Sequence, residues 1–423
     1  MLSKHYLIFV FSLLFFRVLL EISYLFVISN TFSYEGYLLN FSYYNYIISW
    51  IVFLCYFYFA SDRMKSITDI LYITSFISLI APLSVMYGYD YERSLMPLVI
   101  SSLSIFAIML ISATKTISFK GLPTIKNGMF FCIAISSIFI AFLIFWYFIS
   151  GVSLNLDFAQ VYDFRSENQD IAAKGILGYT NNWTYKIFST YLLAVALLYR
   201  KFFLAVLIFC IQIYFFAASS FKEVLFLPFL VFGIWLYFRK SNSLIFMPAI
   251  SCFVVAVTLF SYFFYEDILL SSLFSRRVFF TPALLNYAYF DFFNENSYIF
   301  WSNSILGVFF EYPYFVSLAN VIGGYLGSPD MGANNGFIST GYAHAGVFGV
   351  MLYALFIGLT MRFINHISIG FLPAWFIVAL CIIPIRSFVI SSDFLTVMLT
   401  HGFVVTLLLI FMSRSKKYAF QKE

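Results

Sequence analysis

The stretch Ser275-Arg276-Arg277-Val278-Phe279-Phe280-Thr281-Pro282 sets two guanidinium groups side by side. Arginine offers planar, bidentate donors that match phosphate oxygens, so on a turn or short helix the pair can clamp a pyrophosphate. The alternative is anchoring in lipid headgroups. A second stretch follows: Ala333-Asn334-Asn335-Gly336-Phe337-Ile338-Ser339-Thr340-Gly341-Tyr342-Ala343-His344-Ala345-Gly346. Its glycines permit tight turns and close approach, and Asn334 and Asn335 bring paired donors and acceptors suited to hydroxyls. An imidazole titrating near its ordinary value of about 6.5 can take a hydroxyl proton, so His344 is a candidate base, with a hydrogen-bonded packing role as the alternative. Further cations are candidates too: Arg165 within an outer segment, and, at helix mouths, Lys222 beside Glu223 and Arg386, which flanks a turn with Asp393 and can pair with it. The rings of Tyr287, Tyr289, Phe290, Phe292 and Phe293 could stack on sugar faces, and an interfacial aromatic belt looks the same. The five cysteines lie in apolar runs without zinc-type spacing, so neither a disulfide nor a metal centre is expected, and no cofactor.

The elements that must hold these residues are set by composition. A chain of 423 residues that is 62% hydrophobic, 23% aromatic and 10% charged falls far short of the charge a soluble surface needs, about 25% of residues. Its apolar residues form long runs rather than alternating strands, which predicts helices that satisfy their own backbones in lipid. Runs near 6–28, 44–60, 68–87, 95–113, 128–150, 184–199, 202–219, 222–238, 243–265, 342–363, 370–390 and 394–412 predict about twelve transmembrane helices in a single membrane domain, 1–423. The first run carries Arg17 and Glu21 and lacks a small-residue cleavage site, so it reads as a retained anchor; four apart on one helix face, the two charges can neutralise each other.

With both termini in the cytoplasm, most of the 24 basic residues fall in the inner loops, among them Lys4, Arg63, Lys65, Arg200, Lys201, Arg239, Lys240, Arg362 and Arg414. The acidic residues gather outside, as the positive-inside rule requires. Two outer segments are then long, a smaller one at 151–183 and a larger one at 266–341 between helices 9 and 10. The larger is too long for a simple connector and too apolar in places to be disordered, so short helices lying at the membrane surface are expected there.

This arrangement resembles the O-antigen polymerase (Wzy) family. The likeness rests on multiple spans with short inner loops, two outer loops of which the later is larger, the Arg276-Arg277 pair followed by Phe and Pro, and the stretch from Asn335 to Gly346. It implies a GT-C-like, all-α polytopic glycosyltransferase of the bacterial inner membrane, with its active site facing the periplasm. The donor would be a glycan on undecaprenyl diphosphate and the acceptor a sugar hydroxyl of a second lipid-linked oligosaccharide repeat unit. Membrane lipid and a chain-length regulator protein would be its partners; no nucleic acid is implied. Arg276 and Arg277 would stabilise the diphosphate and His344 would activate the acceptor. Arg165, Lys222, Asn334, Asn335 and Arg386 would contact glycan or phosphate. Related proteins often carry a Ser-Arg pair where Lys222 stands. An O-antigen ligase using lipid A core as acceptor, or a flippase for lipid-linked oligosaccharides, are the competing expectations.

Overall fold

The computed structural model describes residues 3–114, 122–157, 177–304 and 306–415. In chain order the helices are α1 Lys4–Thr31, α2 Tyr43–Cys55, α3 Ile67–Tyr89, α4 Met96–Ala113, α5 Gly128–Ile149, α6 Ser189–Leu198, α7 Phe202–Ser219, α8 Lys222–Phe238, α9 Phe246–Tyr265, α10 Thr281–Glu295, α11 Leu318–Tyr325, α12 Phe337–Ser368, α13 Ala374–Ile390, α14 Phe394–Met398 and α15 Phe403–Met412, with a further short helix, Leu177–Trp183, ahead of α6. No β-strand occurs among the described residues; pairing is confined to the isolated bridges Asn40–Asp90 and Arg63–Ser243. Among the described residues seven helices, α1, α3, α4, α5, α7, α9 and α12, are long and apolar enough to cross a membrane. The most apolar window, in α5, has mean hydropathy 2.6 yet is only 28% buried, and Phe130, Phe145 and Phe148 stand exposed on it. Water would not tolerate such a surface and lipid does. The chain is therefore built as a multi-pass α-helical membrane protein.

Several expected spans take a different form. The run at 44–60 is helical only over Tyr43–Cys55 before tightening into a single turn, Tyr56–Tyr58. The run at 394–412 is broken into α14 and α15 at Gly402, whose φ of +76° suits glycine, and a Cβ there would meet the Trp183 ring at 2.6 Å. Four stretches widen into π-helix, Tyr24–Ile28, Phe76–Ile80, Thr184–Phe188 and Ser271–Phe280, the last running directly into α10. Such widened turns recur at functional sites, and the last two carry Lys186 and the Arg276-Arg277 pair.

The contacts of the chain gather into two compact units. Unit 1 comprises Met1–Thr116, Ser243–Arg362 and Ile385–Phe394. At its centre Arg17, wholly buried on α1, donates to Glu21 at 3.0 Å, to Ser84 Oγ at 2.6 Å and to Ser49 Oγ at 2.8 Å, and its guanidinium lies 4.6 Å from the centre of the Trp50 ring. Tyr46 closes the network from α2 by donating to Glu21 Oε2 at 3.2 Å. The mutual neutralisation expected of Arg17 and Glu21 is present, and it also ties α1 to α2 and α3. In unit 2, Ile117–Asn242 with Phe363–Pro384 and Leu395–Glu423, the core forms around Tyr147, Tyr185, Phe215 and Val224. There Gln212 Nε2 donates to the carbonyl of Tyr185 at 2.9 Å, and Lys186 pairs with Glu223 at 2.7 Å.

Candidate functional site

The glycine-rich stretch folds into a hairpin inside what is nominally one helix. Within α12, Ala345 (φ −157°, ψ 35°) and Gly346 (φ 58°, ψ −143°) leave helical geometry. A Cβ on Gly349 would lie 2.0 Å from the carbonyl oxygen of Gly341, and one on Gly341 would lie 3.0 Å from Val350 Cα. Eight residues along a straight helix are separated by about 12 Å, so this contact requires the chain to double back. Residues 337–344 form a short limb that packs backbone to backbone against the start of the long limb beginning at Val347. Only glycine at both positions allows that approach. Gly336, at the foot of the short limb, is equally constrained, since a Cβ would meet Val389 O of α13 at 2.0 Å.

The short limb ends with open carbonyls, which the segment before it satisfies. The N–H groups of Ile299 and Phe300 donate to the carbonyls of Ala343 and His344, each at 3.0 Å. To do so, Phe300 and Trp301 adopt φ of +43° and +57°. Left-handed backbone at two successive bulky residues is strained, persists only where its surroundings over-determine it, and concentrates at functional positions.

Trp301 is what this strain positions. Its backbone N–H donates to His344 Nδ1 at 3.1 Å, and its indole lies nearly parallel to the imidazole with ring centres 4.8 Å apart. With Nδ1 accepting, a neutral ring carries its proton on Nε2, which faces Asp393 Oδ2 at 3.2 Å. The same carboxylate oxygen receives the Tyr353 hydroxyl at 2.7 Å, and that hydroxyl accepts from Trp301 Nε1–H at 2.7 Å. His344, Trp301, Tyr353 and Asp393 thus make a closed network. The imidazole side chain is 2% exposed and the carboxylate 20%, so the group an incoming molecule can reach is Asp393.

Helix α10 supports the hairpin from the side. Asn335 Nδ2 donates to Pro282 O at 2.9 Å and to Ser339 Oγ at 2.9 Å, Asn286 Nδ2 reaches Ser339 Oγ at 3.2 Å, and Tyr289 donates to Ala333 O at 3.0 Å. Phe290 stacks on Tyr342 with ring centres 3.9 Å apart. On the same helix Asp291 keeps an open surface. Its packed surroundings push the carboxyl above the ordinary range, with Glu295 adding to the shift and the Arg93 guanidinium opposing it.

The structure separates the sequence candidates by their environments. Arg276 is committed: it pairs with Glu35, donates to Ser272 Oγ at 2.9 Å and lies 4.4 Å from the centre of the Phe32 ring. Arg277 is exposed and forms no hydrogen bond or ion pair among the described residues. The two therefore do not present one clamp, because successive residues of a helical turn point in different directions and one is already neutralised. Asn335 is buried and hydrogen-bonded within the fold, whereas Asn334 is exposed. Arg386 is exposed on α13 without a carboxylate partner among the described residues, since Asp393 faces His344 and Tyr353 instead. Lys222 is exposed at the start of α8, and Arg165 lies outside the described residues.

Three members of the network, Asp393, Tyr353 and Trp301, were not read as a group from the sequence. They lie 40 and 52 positions from their hydrogen-bond partners along the chain, with nothing in their spacing to join them. No family model, curated protein or solved structure matches the chain.

Proposed function

We propose that the chain is a membrane-embedded glycosyltransferase that polymerises undecaprenyl-diphosphate-linked oligosaccharide repeat units at the periplasmic face of a bacterial inner membrane. The observation that carries this reading is the partly open Asp393 carboxylate, held by His344 and Tyr353 at a strained hairpin. The same unit bears the unpaired cations Arg277 and Arg386. Five residues after Arg277, about 7 Å along a helix, Pro282 is held by Asn335 at the foot of that hairpin.

In the proposed reaction the acceptor sugar hydroxyl attacks the anomeric carbon of the donor, the bond from that carbon to the diphosphate oxygen breaks, and the hydroxyl proton passes to Asp393. His344 is a positioning residue in this scheme, because its accepting nitrogen is already taken by Trp301. Tyr353 acts in the same way by fixing the carboxylate rotamer. Arg277 and Arg386 hold the charge that develops on the leaving diphosphate, in the manner of preorganised donors aimed at a developing anion.

Four contacts fit the parity of a twelve-span path with both termini inside. In that scheme an even number of spans separates Glu35 from Arg276, Asp62 from Leu244, Ser112 from Arg362 and Leu122 from Arg414, so each pair lies on one side. All four pairs are in hydrogen-bond or ion-pair contact. Odd parity at any one of them would have been incompatible with the path.

The test is deletion of the gene in its own host followed by gel display of the surface polysaccharide. Loss of the polymerase leaves core bearing a single repeat unit. Core alone with accumulating lipid-linked polymer would assign the chain as a ligase, and loss of both would assign it as a flippase. Complementation with Asp393→Asn or Arg277→Ala at equal protein level is expected to leave the single-repeat pattern; full ladders with both would remove the site assignment.

A further inference from the structure

Unit 2 contains a groove that the proposed reaction does not use. It is about 510 Å³ in volume and runs between α5, α6 and α7, with walls that are aliphatic almost throughout: Ile133, Ile140, Ile144 and Leu192 are representative. Apart from Ser137, its polar lining is at one end, where Tyr199 and Lys201 stand. From Ile133 to Ile144 the groove follows α5 for about 16 Å at helical rise. One leaflet of a hydrocarbon core is about 15 Å deep, so the groove matches the length of a single acyl chain lying along the helices.

The charge at its polar end selects the headgroup. Arg200 takes φ of +55°, a strained turn that brings the chain from α6 into α7 and sets Lys201 at the groove, with the Lys201 N–H held on Ala196 O at 2.8 Å. Tyr199 OH donates to Met129 Sδ at 3.2 Å, which brings the start of α5, and Lys126 just before it, to the same end. The ring contact of Phe202 with Trp235 brings the end of α8 there as well, with Arg239 over Trp235 and Lys240 following. All five basic side chains are exposed. The described carboxylates of this unit, Asp157 and Glu223, are at the opposite end: Asn155 is bonded to Ala217 near the close of α7, and Glu223 is in the first turn of α8. Among the described residues, the charged side chains at this end of the groove are thus all cationic.

We infer that this groove is a binding site for an anionic glycerophospholipid, with one acyl chain between α5, α6 and α7 and the phosphate on Lys201. Helix orientation alone requires basic residues on one side of the membrane, but it does not require a lysine lining an apolar groove of leaflet depth.

The experiment is native mass spectrometry of the full-length protein in mild detergent, offered phosphatidylglycerol and phosphatidylcholine with identical chains. The expected result is roughly tenfold preferential retention of phosphatidylglycerol, in the range set by a single well-placed ionic contact. Lys201→Gln removes the preference, Ala141→Phe fills the groove and lowers retention of both lipids, and Lys4→Ala, which is not among its lining residues, changes neither. Both test positions are exposed, and an unchanged melting temperature checks that the variants are folded. Equal retention of the two lipids by the unaltered protein, or an undiminished preference in both Lys201→Gln and Ala141→Phe, overturns the assignment.

Discussion

Adjacent residues of one chemical type can have separate fates. Arg276 and Arg277 are neighbours in sequence, yet one is spent on Glu35 and the Phe32 ring and the other is left open. Their substitutions should part in consequence. Arg276→Ala leaves a partly buried carboxylate without its partner and should lower stability by on the order of 1 kcal/mol, within the range of partly solvated pairs. Arg277→Ala, which removes no hydrogen bond or ion pair among the described residues, should leave the melting temperature unchanged while reducing polymer formation. Thermal unfolding of the two purified variants beside their complementation phenotypes reads both predictions; an Arg277→Ala protein that unfolds early would mean the side chain is structural. The same logic moves the proposed proton acceptor from His344 to Asp393. What matters is which hydrogen-bonding capacity remains after the fold has taken its share, and the imidazole nitrogen that could accept is occupied by the Trp301 backbone.

The decisive element is the hairpin within α12, and its glycines are legible as glycines only through their contacts. Gly346 has φ of +58° and ψ of −143°, a conformation nearly closed to other residues, and a Cβ there would press on the Tyr298 hydroxyl at 2.9 Å. Gly346→Ala should therefore cost about 1–3 kcal/mol. Gly349→Ala, whose Cβ would fall 2.0 Å from Gly341 O, should cost more and disturb the network, because backbone must move to admit it. A melting temperature unchanged in both variants, measured by unfolding in detergent, would contradict the hairpin.

Helix α10 supplies a pH dependence. The Asp291 carboxyl titrates above its ordinary value in the folded protein because its surroundings are packed, so across that interval the folded state binds more protons than the unfolded state. Stability should then fall as pH rises from the ordinary carboxyl value through the raised one, and level off above it. Asp291→Asn should flatten that slope in the interval just above the ordinary carboxyl value. Parallel slopes for variant and unaltered protein would show that another group is responsible.

For the whole molecule, the path through the membrane makes a prediction independent of any chemistry. Single cysteines at positions 35 and 276 should react with an impermeant reagent from one side of sealed vesicles, and cysteines at 62 and 243 only from the other. Labelling of 35 and 62 from one side would break the path. Much of this scale was readable at the outset, since apolar runs without interrupting charge admit only helices in lipid, and all twelve runs contain helix. Local sequence also foretold the Arg17–Glu21 pair, four residues apart on one helix face, and the close approach of the glycines after Asn335. Where sequence reasoning ran short was over distance. The gathering of Asp393, Tyr353, Trp301 and His344, the commitment of Arg276 to Glu35, and the cationic end of the groove in unit 2 all depend on residues far apart in the chain. Hydropathy records the preference of each segment for lipid, which is a local quantity; a hydrogen-bond partner is chosen by packing, and packing exists only once the segments have met.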